Sequence, residues 1–252
     1  MTDWLGPAEW DALRLSLRVS FWATLVSLPF GLLVAHALAR WRFPGHGLLN
    51  GLVHLPLVLP PVVTGYLLLL TFGRRGWVGQ WLDQWFGIVF AFRWTGAALA
   101  AAIMAFPLMV RAMRLSIEAV DPRLEQAAGS LGAARPWVWL TVTLPLILPG
   151  VIAGAILGFA KAMGEFGATI TFVSNIPGET RTLPLAIYTA LQVPGGEAHA
   201  ATLAVVAVVL AWSRWLAPKG AARVVGTPRL VIELVLMTVV AALLVTVGQV
   251  VW

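Results

Sequence analysis

Five long apolar runs, separated by shorter polar segments, dominate the chain. They cover approximately residues 15–39, 48–72, 95–117, 146–161 and 200–216. A membrane helix needs about 20 mainly apolar residues, and a last run at 230–252 is long enough for a sixth helix. The pattern predicts an all-α polytopic membrane protein with five transmembrane helices and room for one more near the carboxyl end.

The second apolar run cannot form a straight helix, because it contains Pro56, Pro60 and Pro61. Each proline removes a backbone donor and clashes with the preceding turn. Irregular backbone within a bilayer is tolerated only where protein or a water-filled path covers it. Two interpretations remain open, namely a break that lines a path and a kink that serves helix packing.

The fourth run carries Gly150, Gly154 and Gly158, which recur every fourth residue and share one helix face. Small residues at this spacing let another helix approach closely, so we expect a central helix here. The segment 73–94 carries four tryptophans and is expected to be an interfacial loop. A short interfacial helix is predicted over 183–192.

Composition excludes a soluble domain. The 252 residues are 60% hydrophobic and 11% charged, whereas a soluble domain carries about 25% charged residues. The net charge of +6 comes from residues spread between the apolar runs, which is typical of anchors at the lipid interface rather than of nucleic-acid binding. The chain has no cysteine, and its four histidines lack metal-ligand spacing, so no metal site is predicted.

One polar segment, 121–149, interrupts this pattern and is competent to form a helix. Asp121 and Pro122 are a helix start, because an N-cap acceptor precedes a ring fixed at the helical dihedral. Gly132 can end that helix in a left-handed cap. One apolar stripe joins Leu124, Ala127, Ala128 and Leu131. The segment predicts a short amphipathic helix at the membrane surface, either a docking site or an ordinary connection.

The same segment resembles the cytoplasmic EAA loop, E-A-A-x3-G-x9-I-x-L-P, of permease subunits in bacterial binding-protein-dependent ABC importers. The matching residues are Gln126-Ala127-Ala128, Gly132 and Val142-x-Leu144-Pro145. Gln126 stands where the family has glutamate, with Glu125 just before it, and Val142 replaces isoleucine. Segments 54–76 and 164–192 are similar to the molybdate branch, whereas sulfate permeases differ in the second-helix proline stretch.

The resemblance covers residues 10–216 and implies a type I permease core, with 217–252 as a carboxyl-terminal extension. It implies import of molybdate, or tungstate, across the bacterial inner membrane by a homodimer. Two ABC ATPase subunits would dock at the loop 121–137, and an external molybdate-binding protein would deliver the anion. The docking residues implied are Glu125, Gln126, Ala127, Ala128, Leu131 and Gly132.

The chain is not expected to be an enzyme by itself. Neither of its lysines follows a glycine, so it contains no G-x4-G-K-[ST] phosphate loop. We therefore expect no cofactor in this chain, with ATP and Mg²⁺ bound by the ATPase partner. The alternatives are a sulfate or thiosulfate ABC permease and, in another class, a self-contained secondary transporter or channel.

Candidate residues of a translocation path come from the apolar runs. Lys161 and Glu165 are four apart on the fourth predicted helix and are expected toward the outer leaflet, where a charge is costly unless it is paired or faces water. They form either a mutual salt bridge or, with Arg181, a guide for the oxyanion. Thr64, Thr169 and Thr171 are candidates for lining a path closed by an apolar, dewetting constriction.

Overall fold

Every regular element in the described part of the chain is a helix. The computed structural model describes residues 6–216, with side chains described as far as residue 208. The helices are α1 (Pro7–Arg40), α2 (His46–Val58), α3 (Pro61–Phe72), α4 (Trp77–Phe86), α5 (Trp94–Glu118), α6 (Pro122–Ser130), α7 (Arg135–Val138), α8 (Leu144–Met163), α9 (Gly167–Val173), α10 (Leu183–Leu191) and α11 (Glu197–Leu216). A π-helical turn, Trp139–Thr143, joins α7 to α8. The predicted all-α fold is confirmed.

Three helical stretches are long and apolar enough to cross a membrane, namely Pro7–Arg40, Trp94–Glu118 and Arg135–Met163. Helices α2 and α3 together make a fourth span if the bent pair crosses as one unit. Helix α11 occupies the fifth predicted run, but the count of five spans stays a prediction. The proposed sixth helix at 230–252 and the extension 217–252 lie outside the described residues.

The second span is broken, as its prolines predict. Helix α2 ends at Val58, α3 begins at Pro61, and the pair is bent by 115°. Pro60 is the N-cap of α3 and Pro61 its first residue. Because neither residue has a backbone N–H, the helix cannot continue through them.

Helix α5 is the centre of the packing, between α1 and α8. Met109, Met113 and Ile117 of α5 are fully buried, with Ile147 of α8. The three glycines of α8 make this contact: a Cβ on Gly154 would lie 3.2 Å from the carbonyl oxygen of Met109. The predicted close-packing glycine face is thereby confirmed. The opposite side of α8 is exposed, including Ile152, Ile156 and Leu157.

Contacts between α1 and α5 show that the two helices run parallel. At one end, Arg40 Nη2 donates a hydrogen bond to the carbonyl oxygen of Val120 at 3.1 Å. At the other, the Arg18 guanidinium lies 3.8 Å from the ring centroid of Trp94. The first end carries α6 and the second carries α4. We call them the α6 end and the α4 end.

Two details of the sequence prediction are wrong. The segment 73–94 is not a plain loop, because it contains α4, in which Trp77, Trp81 and Trp85 recur every four residues. Glu165 does not lie on the fourth long helix, since α8 ends at Met163 and a new helix, α9, begins at Gly167. The predicted short helix over 183–192 is confirmed as α10.

Candidate coupling site and translocation path

Helix α6 begins and ends as its sequence predicts. The Asp121 carboxylate accepts a hydrogen bond from the Arg123 backbone N–H at 2.9 Å, and Pro122 follows as the first helical residue. At the other end Gly132 has a φ of 87°. That left-handed conformation costs a residue with a Cβ about 1–2 kcal/mol, which explains the glycine.

The apolar face of α6 is open to the surroundings. Leu131 is 90% exposed and Leu124 49% exposed, so the described chain leaves much of both side chains uncovered. Of the other predicted docking residues, Gln126, Ala127 and Gly132 are exposed and Ala128 is half-buried. The chain thus presents small and apolar side chains on a short surface helix, which is a surface suited to another protein. Their docking role stays a prediction.

Glu125 differs from its neighbours because its carboxylate faces the chain itself. Its Oε1 accepts a hydrogen bond from Thr143 Oγ1 at 2.8 Å and lies 3.4 Å from Arg40 Nη2. Thr143 is 1% exposed. One oxygen therefore joins α6 to the end of α1 and to the π-helical turn that leads into α8.

Sequence reasoning missed Arg40 and Thr143 as parts of this site. Glu125 is 85 residues from Arg40 and 18 from Thr143, so no local periodicity connects them. The nearest signal in the sequence is the pair of adjacent polar residues, Glu125 and Gln126. Because adjacent residues on a helix do not share one face, Glu125 and Gln126 are expected to point to different sides of α6.

The three threonines proposed for the path are brought to one region, where α3 packs against α9. A Cβ on Gly65 would lie 2.5 Å from the carbonyl oxygen of Ala168, so the two helix backbones are in close contact. Thr64 and Thr169 are buried. The Thr64 hydroxyl has no hydrogen-bond partner among the described residues. Thr171 Oγ1 donates to the carbonyl oxygen of Gly167 at 2.9 Å.

Lys161 and Glu165 form the salt bridge that was one of the two interpretations. Lys161 Nζ lies 3.0 Å from Glu165 Oε2. The other carboxylate oxygen accepts from the Ala168 backbone N–H at 3.0 Å, and Glu165 is only 3% exposed. The pair therefore connects the end of α8 to the first turn of α9, and guidance of an anion by Lys161 stays a prediction.

Arg181 lies apart from this pair in sequence, in the connection between α9 and α10. Its Nε donates to Asn175 Oδ1 at 3.0 Å, and the Asn175 amide donates to Thr189 Oγ1 at 2.7 Å. These bonds hold the connection against α10. Within residues 6–216, no group of three or more His, Asp or Glu side chains is arranged to hold a metal ion.

Residues 27–219 match the family model described as the binding-protein-dependent transport system inner membrane component. The chain belongs to this family. The permease is therefore a multi-pass protein of the inner membrane and the membrane component of a transport system, not itself an enzyme. Members of this family work with a binding protein and, in ABC transporters, with an ATPase.

The curated relatives of the permease include two molybdenum transport system permease proteins, ModB of Escherichia coli K12 and ModB of Haemophilus influenzae. The first is 61% identical, covering 84% of this chain and 95% of the relative. The second is 55% identical, covering 84% and 94%. The sulfate transport system permease protein CysT of Escherichia coli K12 is 36% identical, covering 88% and 81%.

The fold is also that of a solved transporter. The crystal structure of a bacterial ABC transporter that imports the acidic polysaccharide alginate matches with a TM-score of 0.68 and 19% identity, covering 87% of this chain and 81% of the other. At that identity the likeness concerns the fold alone. It supports the helical arrangement around α5 and α8.

Proposed function

We propose that the permease forms the translocation path of an ATP-driven importer of molybdate. The observation that carries the proposal is the 61% identity to a molybdenum transport permease over 84% of the chain. The sulfate permease, at 36%, is more distant, which disfavours sulfate or thiosulfate as the main substrate. Tungstate matches molybdate in charge, shape and size, so we expect it to be carried as well, whereas sulfate is a smaller tetrahedral dianion.

The proposed assembly is a homodimer with two ABC ATPase subunits and an external molybdate-binding protein. The ATPase subunits would bind ATP and Mg²⁺ and would dock on α6, where Leu131 and Leu124 are exposed. A second copy of the chain would cover part of the exposed apolar surface of α8, such as Ile152 and Ile156. Without these partners, the surfaces of α6 and α8 would leave apolar side chains exposed.

In this proposal, ATP binding draws the ATPase subunits together, and α6 moves with them. Because α6 is bonded through Glu125 to the end of α1 and to the entry of α8, its motion reaches the long helices that bury α5. The path would then open alternately to the two sides of the membrane. Selectivity would reside mainly in the binding protein, since tight binding within the path would slow release.

The region where α3 meets α9 is the proposed gate of the path. Thr64 supports this assignment best, because its hydroxyl is buried in the described chain without a partner. Thr171 lies across the same contact from Gly65, and Thr169 is buried on the same helix. Lys161, Glu165 and Arg181 would hold the segments that border the gate.

Uptake of labelled molybdate by vesicles tests the transport proposal. The vesicles would contain the permease, its ATPase and a molybdate-binding protein. ATP would be supplied on the side of the membrane where the ATPase is bound. We expect uptake that requires ATP, is competed by excess tungstate and is little affected by excess sulfate. Stronger competition by sulfate would favour the sulfate permease, and uptake without the ATPase would favour a secondary transporter or channel.

Co-purification of the ATPase tests the docking proposal. Leu131→Asp places a charge in the centre of the proposed docking surface, so we expect the recovered ATPase to fall by about tenfold or more. Leu191→Asp is the matched control, because Leu191 is also exposed (57%) but belongs to α10, whose Leu183 N–H donates to Ser16 Oγ near the α4 end of α1. Equal recovery with both variants would contradict docking at α6.

A further inference from the structure

We propose that Glu125 is a positioning residue that clamps α6 to the membrane helices, rather than a contact of the ATPase. This role rests on the proposed docking of an ATPase at α6. The residues involved are Glu125 of α6, Arg40 at the end of α1 and Thr143 at the end of the π-helical turn. We call this set the Glu125 clamp.

The need for a clamp follows from how little α6 is buried. None of its nine residues is buried in the described structure. A helix held by packing would bury an apolar stripe against its neighbours, but the stripe of α6 faces outward at Leu124 and Leu131. Because so little of α6 is buried, we expect polar contacts to supply much of what holds it in place.

The Glu125 carboxylate makes those contacts with two separate elements. Thr143 Oγ1 donates to Glu125 Oε1 at 2.8 Å, and Thr143 itself is 1% exposed. Arg40 Nη2 lies 3.4 Å from the same oxygen and donates to the Val120 carbonyl oxygen at 3.1 Å. The carboxylate and the guanidinium together connect α6 to the ends of α1 and α5 and to the entry of α8.

The surroundings make this contact stronger than an ordinary surface ion pair. The Arg40 and Glu125 side chains are only 20% and 30% exposed, and the hydroxyl that completes the site is buried. Hydrogen bonds to a charged group generally contribute more to stability than exposed ion pairs do. Glu125 Oε1 is directed into the chain and engaged by both Thr143 and Arg40.

A clamp predicts a particular defect when it is removed. The ATPase would still dock on Leu131 and its neighbours, and ATP would still be hydrolysed. The displacement of α6 would no longer be passed efficiently to α1 and α8. Molybdate uptake would fall while ATP hydrolysis continued. Loss of a docking contact would instead remove the ATPase from the complex.

The test uses Glu125→Gln and Thr143→Val in the complete complex of permease, ATPase and molybdate-binding protein in vesicles. Thr143→Ser restores the hydroxyl. Thr141→Val is the matched control, because Thr141 is exposed and its hydroxyl donates to the Trp137 carbonyl oxygen of its own turn. The measurements are ATPase recovery, the rate of ATP hydrolysis, and molybdate taken up per ATP hydrolysed.

We expect Glu125→Gln and Thr143→Val to lower uptake per ATP by about tenfold, with ATPase recovery within about twofold of the unaltered complex. Thr143→Ser and Thr141→Val should behave like the unaltered protein. Loss of the ATPase from Glu125→Gln would make Glu125 a docking contact and overturn the clamp. Unchanged uptake per ATP in both variants would also overturn it, whereas absence of molybdate uptake by the unaltered complex would instead refute the proposed function.

A second measurement removes dependence on transport. The chain has no cysteine, so a nitroxide attached to Leu131→Cys, at the C-cap of α6, is the sole label on the protein. In the permease without its ATPase, Glu125→Gln should increase the mobility of the label, and Thr141→Val should not. Equal label mobility in the presence and absence of the Glu125 carboxylate would contradict the clamp.

Discussion

At the scale of single residues, the buried carboxylate of Glu165 depends on Lys161. Lys161→Met leaves this carboxylate, in a residue 3% exposed, without its cation, so we expect the free energy of unfolding to fall by about 1–3 kcal/mol. Adding Glu165→Gln removes the unpaired charge and keeps an oxygen for the Ala168 N–H. The double variant should therefore be more stable than the single one in thermal unfolding in detergent.

A double variant no more stable than Lys161→Met would contradict this account of the pair. Transport separates the two interpretations of Lys161. If Lys161→Met assembles and carries molybdate at the unaltered rate, Lys161 does not guide the anion.

The contact between Gly65 and Ala168 should not accept a side chain. In Gly65→Ala, the new methyl group would meet the Ala168 carbonyl oxygen at 2.5 Å and its Cα at 2.9 Å, and backbone cannot move aside as a flexible side chain can. We expect a loss of about 1–3 kcal/mol in unfolding free energy. Gly129→Ala is the control, since nothing lies within 4 Å of the position that its Cβ would take and alanine favours a helix by about 1 kcal/mol. Equal stability of the two variants would argue against the close contact.

Residue roles are predictable from the sequence only where the signal is local. The capping by Asp121 and the left-handed Gly132 follow from residue types at fixed offsets along α6. The partners of Glu125 do not, because Arg40 is 85 residues away. The sequence alone therefore groups Glu125 with the docking residues, although its carboxylate faces the chain.

At the scale of elements, α5 and α8 depend on glycine at their contact. Gly154→Leu would drive a branched side chain toward Met109 and Met113, whose nearest atoms lie 3.2–3.3 Å from the Cβ position. We expect this variant to separate α8 from α5 and to lower the yield of folded protein several-fold, measured by size-exclusion chromatography in detergent. Ala153→Leu, on the exposed side of the same helix, should be tolerated; equal loss in both variants would contradict the assigned face.

Helices are predicted well where apolar runs are long, and less well where they are short. Periodicity and length identify α1, α5 and α8, and Pro60 and Pro61 identify the break between α2 and α3. The interfacial helix α4 is missed, because its tryptophans are typical of an aromatic belt and their repeat of four is short. The π-helical turn at Trp139–Thr143 is not among the elements that the sequence pattern predicts.

At the scale of the whole molecule, the parallel arrangement of α1 and α5 predicts opposite accessibility for α4 and α6. Single cysteines at Trp77 and Leu131, which are 77% and 90% exposed, can be introduced into the cysteine-free chain. In cells lacking the ATPase, we expect a membrane-impermeant maleimide to label Trp77→Cys from outside. Leu131→Cys should react only after permeabilisation. Labelling of both from the same side would contradict the arrangement.

Composition and the EAA-like motif together are sufficient to predict that the chain is a membrane permease. High apolar content excludes a soluble domain, and the spacing around Gln126 and Gly132 indicates the family that residues 27–219 match. The surfaces that contact partners are harder to predict from the sequence, because an apolar stripe has the same pattern whether or not another element of the chain covers it. In the structure, the apolar stripe of α6 is uncovered at Leu131.

The close approach of α3 and α9 has a mechanical consequence. Each helix follows an interruption, at Leu59–Pro60 for α3 and between Met163 and Gly167 for α9. Because Gly65 and Gly167 let the two helices pack directly on each other, we expect α3 and α9 to move together. The interruptions are then hinges at which α2 or α8 can tilt while α3 and α9 keep their contact, so a gate in this region would open by moving the two helices together.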